Sequence, residues 1–298
     1  MTDVPVGWQD PNSQEPSTKR NPTAVLTAAA VLLTVAVLAT FVAVVLIADD
    51  GAGEDAHGSP IMLIAANAQT ENPFTPSTAL IPPQDSSALT PHPASPIPVS
   101  AQRGVQVADG LQPGLYGGSA QTNSCDAAAL ANYLDRDPTL ATVWGNTVGV
   151  EPPALPHYLN TLTPVVLTYD TWVTSHTPVD GAGTPFQAVL QAGSAVLVDG
   201  VGVPRAHCAS GAPLRPPLNA SLAEFVTAGE RWPGFEAQNV IAVAYADPTS
   251  PEQPVEEFTL QDLSSGQPFT RAAGGTINID PQSSVPLPDP ASMNAPPT

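Results

Sequence analysis

The sequence predicts an α+β domain, with early helices and late antiparallel strands, that follows one transmembrane helix. Three observations lead there. A charge-free apolar run extends from Ala24 to Ala48, helix-capping signals cluster between residues 124 and 162, and apolar runs bounded by turn residues recur from Val165 onward. Helices segregated from strands along a chain are the mark of the α+β class.

The apolar run AVLTAAAVLLTVAVLATFVAVVLIA carries no charged side chain. About 20 apolar residues cross a hydrocarbon core at 1.5 Å per residue, and a signal-peptide core is shorter than this run. Lys19 and Arg20 precede it, while Asp49, Asp50, Glu54 and Asp55 follow. Positive charge stays inside, so residues 1–23 are expected as a cytoplasmic tail and the remainder as extracytoplasmic. The expected partner of residues 24–48 is the lipid bilayer, and the expected location is the cell membrane, single-pass.

Composition separates the rest. The chain holds 36 prolines and 22 glycines in 298 residues, with 42% hydrophobic content. Such a mixture predicts one packed domain with irregular flanks. Residues 49–106 are rich in Pro, Ala, Ser and Thr and read as a stalk, and residues 279–298 as a disordered proline-rich tail. Within the stalk, Ile61 to Ile64 form an apolar patch suited to an edge strand or to resting on the membrane. The domain is expected at 107–278, a length that suits a single core. Eight basic residues against 27 acidic ones give a formal charge of -19, which excludes a phosphate-binding nucleic-acid partner.

Inside the domain, Ser124 caps a helix predicted over Cys125 to Leu134. Asp137-Pro138 starts a second, carrying Leu140, Val143, Trp144 and Val148 until Gly149. Pro153 to Leu162 is a third. Val165 to Leu167 is strand-like, and Asp170 to His176 reads as a polar loop. Thr184-Pro185 repeats the cap signature, which predicts two helical turns over Phe186 to Ala192 before Gly193. Ser194 to Val198 and Val203 to Cys208 are predicted as paired strands, with later strands at Asn239–Tyr245 and Glu257–Leu263.

Candidate chemistry is sparse. Cys125 and Cys208 read first as a disulfide; free thiols, or a catalytic cysteine beside His176 or His207, are the rivals. Asp170, His176 and His207 are the candidate catalytic residues of a hydrolase, although no GxSxG elbow accompanies them. Arg205 is read as an ion pair with Asp199 or Asp170, or else as a ligand anchor. No CxxC, HExxH or DxDxDG spacing predicts a metal, and GLYGGS lacks the GKS/T ending of a phosphate loop, so no cofactor is expected. Asn219-Ala220-Ser221 matches a glycosylation sequon.

Together, GLYGGS (114–119), SCD (124–126), LTPVVLTYDTWVTSH (162–176), PFQAVLQAGSAVLVDGVGVPRAHC (185–208) and GAPLRPP (211–217) resemble the DUF6777 domain family. The resemblance covers roughly residues 107–265. It implies an actinobacterial membrane-anchored or secreted domain with no assigned activity. The family pattern has a second cysteine where this chain has Ser210, which argues against a metal–thiolate site and leaves Cys125 and Cys208 as the pair. The resulting expectation is a membrane-anchored extracytoplasmic domain that binds, or plays a structural part, in the bacterial cell envelope. An envelope protein or cell-wall component is its candidate partner. The alternative is an extracytoplasmic hydrolase using Asp170 with His176 or His207.

Overall fold

The computed structural model describes residues 60–81, 97–100, 104–243, 253–279, 286–288, 290 and 293. The chain divides into two units, Met1–Asp55 and Ala56–Thr298, and every described residue belongs to the second.

Among the described residues, three α-helices form where local signals demand them. Helix α1 (Ala127–Arg136) is capped by the Asp126 carboxylate, which accepts from Ala129 N at 2.8 Å, two residues later than Ser124 would place it. Helix α2 (Pro138–Val148) starts on the Asp137 cap with proline at its first position and ends at Gly149, whose φ of 74° is the left-handed conformation of a helix C-cap. A 3-10 turn at Pro152–Ala154 leads into α3 (Leu155–Thr161). The buried stripe of α1 is Ala127, Leu130, Ala131 and Leu134, spaced to lie on one helical face.

The described residues also form two seven-stranded sheets. The first uses β1 (Ile61–Ile64), β2 (Val99–Ser100), β3 (Val105–Ala108), β6 (Thr171–Val179), β7 (Ala182–Leu190), β11 (Thr227–Ala228) and β12 (Ile241–Val243), in the order β11-β1-β7-β6-β12-β3-β2. The second uses β4 (Tyr116–Gly118), β5 (Thr163–Leu167), β8 (Ala195–Val198), β9 (Pro204–His207), β10 (Ala212–Pro213), β13 (Glu257–Asp262) and β14 (Pro268–Ala272), in the order β10-β9-β8-β5-β4-β13-β14. The longest pairing is the β6–β7 hairpin, turned by Asp180 and Gly181 at φ 49° and 78°. Two central residues with positive φ match the twist of the strands they join, and Asp-Gly is the favoured pair for that turn.

Side-chain alternation builds the layers. On β8, Val196 and Val198 enter the core between the sheets, while Ala195 and Leu197 face the helices. On β6, Val173 enters the inter-sheet core and Trp172 faces the opposite side. There Trp172, Val189, Ile61 and Leu63 pack beneath Leu222 and Phe225, so residues 218–240 roof the first sheet. A residue's parity along a strand therefore decides which of three cores it joins.

The structure corrects several expectations. Four strands precede the helices, and four of the pairings in the first sheet are parallel: β1–β11, β1–β7, β12–β3 and β12–β6. The order of early helices and late antiparallel strands is thus replaced by strands that pair across the whole chain. The segment predicted helical after Thr184-Pro185 is β7, and the Asp170–His176 loop runs into β6. Ile61–Ile64 is an interior strand, paired with both β7 and β11. Phe74, also in the expected stalk, is buried in the helical core.

The expected transmembrane helix at 24–48 lies outside the described residues. Among the described residues no helix is long and apolar enough to cross a membrane. The longest of them, α2, has 11 residues where about 20 are needed. The fold class is therefore corrected to an α+β domain with no membrane-crossing helix among the described residues. The bilayer partner and the single-pass topology with a cytoplasmic N-terminus are withdrawn with that helix.

Candidate functional site

Cys125 and Cys208 form a disulfide, with Cα atoms 5.9 Å apart and both residues buried. It ties the residue before the α1 cap to the end of β9. Thr78 completes the knot: its N–H and its hydroxyl both donate to the Cys208 carbonyl, at 2.8 and 3.0 Å, and its carbonyl accepts from Asp126 N. No cysteine is free. A catalytic thiol is thereby ruled out.

The three catalytic candidates are not brought together. Asp170, half-buried before β6, accepts from Ala192 N at 2.8 Å and from Trp232 Nε1 at 3.0 Å. Burial raises its pKa, and those two donors oppose the rise. His207 is wholly buried on β9, with Nδ1 3.1 Å from Ser210 Oγ and Nε2 without a hydrogen-bond partner. Burial pushes its imidazole down to about 4. His176 is on β6, with Nδ1 3.0 Å from the Pro213 carbonyl. Among the described residues no hydrogen bond or ion pair joins Asp170 to either histidine. The hydrolase alternative falls on that point, because a carboxylate must contact the imidazole it orients. Nor do the described residues contain any group of three or more His, Cys, Asp or Glu placed to hold a metal.

His176 does line a cleft, of about 470 Å³, together with Arg215, Thr174, Gln187, Thr147 and Phe225. Register explains the gathering. Trp172, Thr174 and His176 alternate onto the outer face of β6, opposite Val189, Gln187 and Pro185 of β7. Past the end of β12, the Arg215 segment takes over as neighbour of β6: Thr174 and Arg215 exchange two N–H···O bonds of 2.9 Å. The last turn of α2 contributes Asn146 and Thr147, and the roof contributes Leu218 and Phe225.

The floor of the cleft is a satisfied polar chain. Trp172 Nε1 donates to Gln187 Oε1 at 2.9 Å, Gln187 Nε2 to Thr174 Oγ1 at 2.9 Å, and Thr174 Oγ1 to the Pro216 carbonyl at 2.9 Å. Leu218 N also donates to Gln187 Oε1, at 3.1 Å. Such a chain holds its members in one arrangement. Above it, burial pushes His176 down to about 4, with the Pro213 carbonyl opposing and the nearby Arg215 charge adding to the fall. The imidazole is therefore neutral at pH 7. A carbonyl can only accept, so Nδ1 carries the proton and Nε2 is left as an acceptor.

Arg205 is fully buried and bound to Asp199 through Nε at 2.7 Å, so the ion-pair reading of this residue holds with Asp199 and not Asp170. Sequence reasoning picked out His176 but missed Arg215, Gln187 and Thr174. The Asp180-Gly181 pair was the available signal: reading it as a hairpin places Thr174, His176 and Gln187 on one face.

The site belongs to a disulfide-tied, two-sheet α+β domain with a polar, arginine-bearing cleft on one sheet. The chain is a member of the DUF6777 family: the model described as "Domain of unknown function (DUF6777)" matches residues 106–274, more than half of the chain. No curated protein and no solved structure matches it.

Proposed function

We propose that this domain is a binding module that receives a carboxylate-bearing ligand in the His176–Arg215 cleft. The observation that carries the reading is the pairing of a guanidinium with a neutral imidazole in one concavity beside an apolar wall. Arg215 suits a planar anion, since its fork of donors matches a carboxylate. His176 Nε2 complements an N–H or O–H next to that anion, and Leu218 and Phe225 suit an apolar substituent. Concave sites with a few convergent polar groups are the usual form of small-ligand pockets. The buried disulfide supports an oxidising working environment.

A thermal-shift titration tests this with N-acetyl dipeptide acids against their methyl esters. The acids raise the melting temperature of the intact chain, the esters do not, and Arg215→Gln abolishes the difference. Equal shifts from acid and ester, or an Arg215→Gln chain that still prefers acids, overturn the reading.

A further inference from the structure

The roof over the first sheet encloses a second cavity, of about 390 Å³, that shares Phe225 with the cleft. Among the described residues its buried walls are Val189, Leu222 and Phe225, and its exposed ones include Val226, Arg231 and Ala237. A cavity of this size is at the lower end of the range for small-ligand pockets. Val226 is 77% exposed, more than any other large apolar side chain among the described residues. Left in water beside an apolar cavity, it forgoes the burial that the rest of the roof gains.

Asp170 fixes the part of the roof that carries Arg231. Its Oδ2 accepts from Trp232 Nε1 at 3.0 Å and its Oδ1 from Ala192 N at 2.8 Å, which ties Trp232 to the turn after β7. Phe235 N donates to the Trp232 carbonyl at 3.1 Å, and the two rings meet edge to face at 5.1 Å. The Arg231 guanidinium is 5.8 Å from the Phe235 ring centroid, and Nη2 donates to Thr227 Oγ1 at 2.9 Å. That acceptor is a neutral hydroxyl. Among the described residues no carboxylate pairs with Arg231, in a chain with 27 acidic residues against eight basic ones. Glu236 is engaged within its own turn, where it accepts from Gln238 Nε2 and Asn239 Nδ2 at 3.2 and 2.9 Å. The guanidinium is thus positioned in the cavity wall with donors left for an anion.

We propose that this cavity binds one straight-chain carboxylic acid, with its hydrocarbon chain against Val189, Leu222 and Val226 and its carboxylate on Arg231. Charge complementarity selects the head group, since a guanidinium recognises a carboxylate through paired N–H donors. The walls select the tail, because burial of apolar surface is the main source of affinity in such a cavity. The bound chain covers Val226. This site is separate from the His176–Arg215 cleft and does not depend on the reading of that cleft: it uses a different cation, and Phe225 contributes to the walls of both.

The test is isothermal titration calorimetry of the full chain with monomeric butanoate, hexanoate and octanoate, and with octanol. Affinity should rise about fourfold for each added methylene, and octanol should bind about tenfold more weakly than octanoate. Arg231→Gln should bring octanoate down to the level of octanol, and Arg231→Lys should keep part of the difference. Ala237→Trp, which fills the cavity from an exposed position, should remove binding of both. Arg215→Gln should change none of these results. Arg231 and Ala237 are exposed, so their variants should keep the native melting transition. The chain-length and acid–alcohol comparisons use the native chain and decide the matter whatever the variants' stability. No gain with chain length, equal binding of acid and alcohol, or octanoate binding that survives Arg231→Gln overturns the proposal. Loss of octanoate with Arg215→Gln places the acid in the cleft and overturns it too. So does binding to vesicles that contain oleate without binding of monomeric octanoate, since Arg231 then serves a lipid surface.

Discussion

Acidification should unfold this domain through its two buried histidines well above the range in which ordinary carboxylates titrate. His176 and His207 each fall to about 4 in the folded state, against an ordinary value of 6.5. A lowered histidine pKa means that the unfolded chain binds more protons between those values. Stability is therefore fully present above about pH 6.5, declines as pH falls toward 4, and levels off below it. Near pH 5 each histidine contributes a slope of roughly 1 kcal/mol per pH unit, and the full window is worth about 3 kcal/mol per residue. His207 is the sharper probe, since its Nε2 has no partner and a proton there would place a cation in an apolar core. The assay is urea unfolding followed by tryptophan fluorescence at pH 7, 6 and 5, on the native chain and on His207→Asn. The native chain should lose roughly 2 kcal/mol per pH unit, and the variant about half of that. Asp170, whose raised pKa acts with the opposite sign at the acid end of the range, cancels in the comparison. Identical slopes for native chain and variant would refute the argument.

Two further outcomes follow from the same geometry. Replacing Cys125 and Cys208 by alanine opens a loop of 83 residues. This should cost about 4 kcal/mol and lower the melting temperature by roughly 10 °C, with reductant producing the same shift in the native chain only. Gln187→Leu removes the acceptor of Trp172 Nε1 and of Leu218 N together with the donor to Thr174. Orphaning those buried groups should cost about 2–4 kcal/mol in chemical denaturation and blunt acid binding in the cleft. A loss below about 1 kcal/mol would show that the chain of bonds does not hold the floor together.

Much of the fold was legible because its cause is local. Asp137-Pro138 and Gly149 bound α2 through capping and φ preference alone, and the apolar run at 195–198 with the turn residues that follow it announces β8 and its partner β9. Arg205 and Asp199 are six residues apart, close enough for their pairing to be anticipated. The errors were local signals outvoted by partners elsewhere in the chain. Thr184-Pro185 carries a helix cap, yet nine successive pairings with β6 hold the segment extended. Ile61–Ile64 has stalk-like neighbours, yet both its edges are paired, to strands more than 100 residues away.

The site follows the same division. His176 stood out as a residue type, and the disulfide as the only cysteine pair available in the chain. The cleft itself needed β6 to exchange β12 for the Arg215 segment as its neighbour, and needed the end of α2 to meet that edge. Sequence by itself determined both ends of α2, which residues prefer burial, and which few could bear charge or a sulfur bond. Only tertiary structure decided which of them meet, because strand partners are selected by the burial of three cores at once and not by any neighbour in the chain.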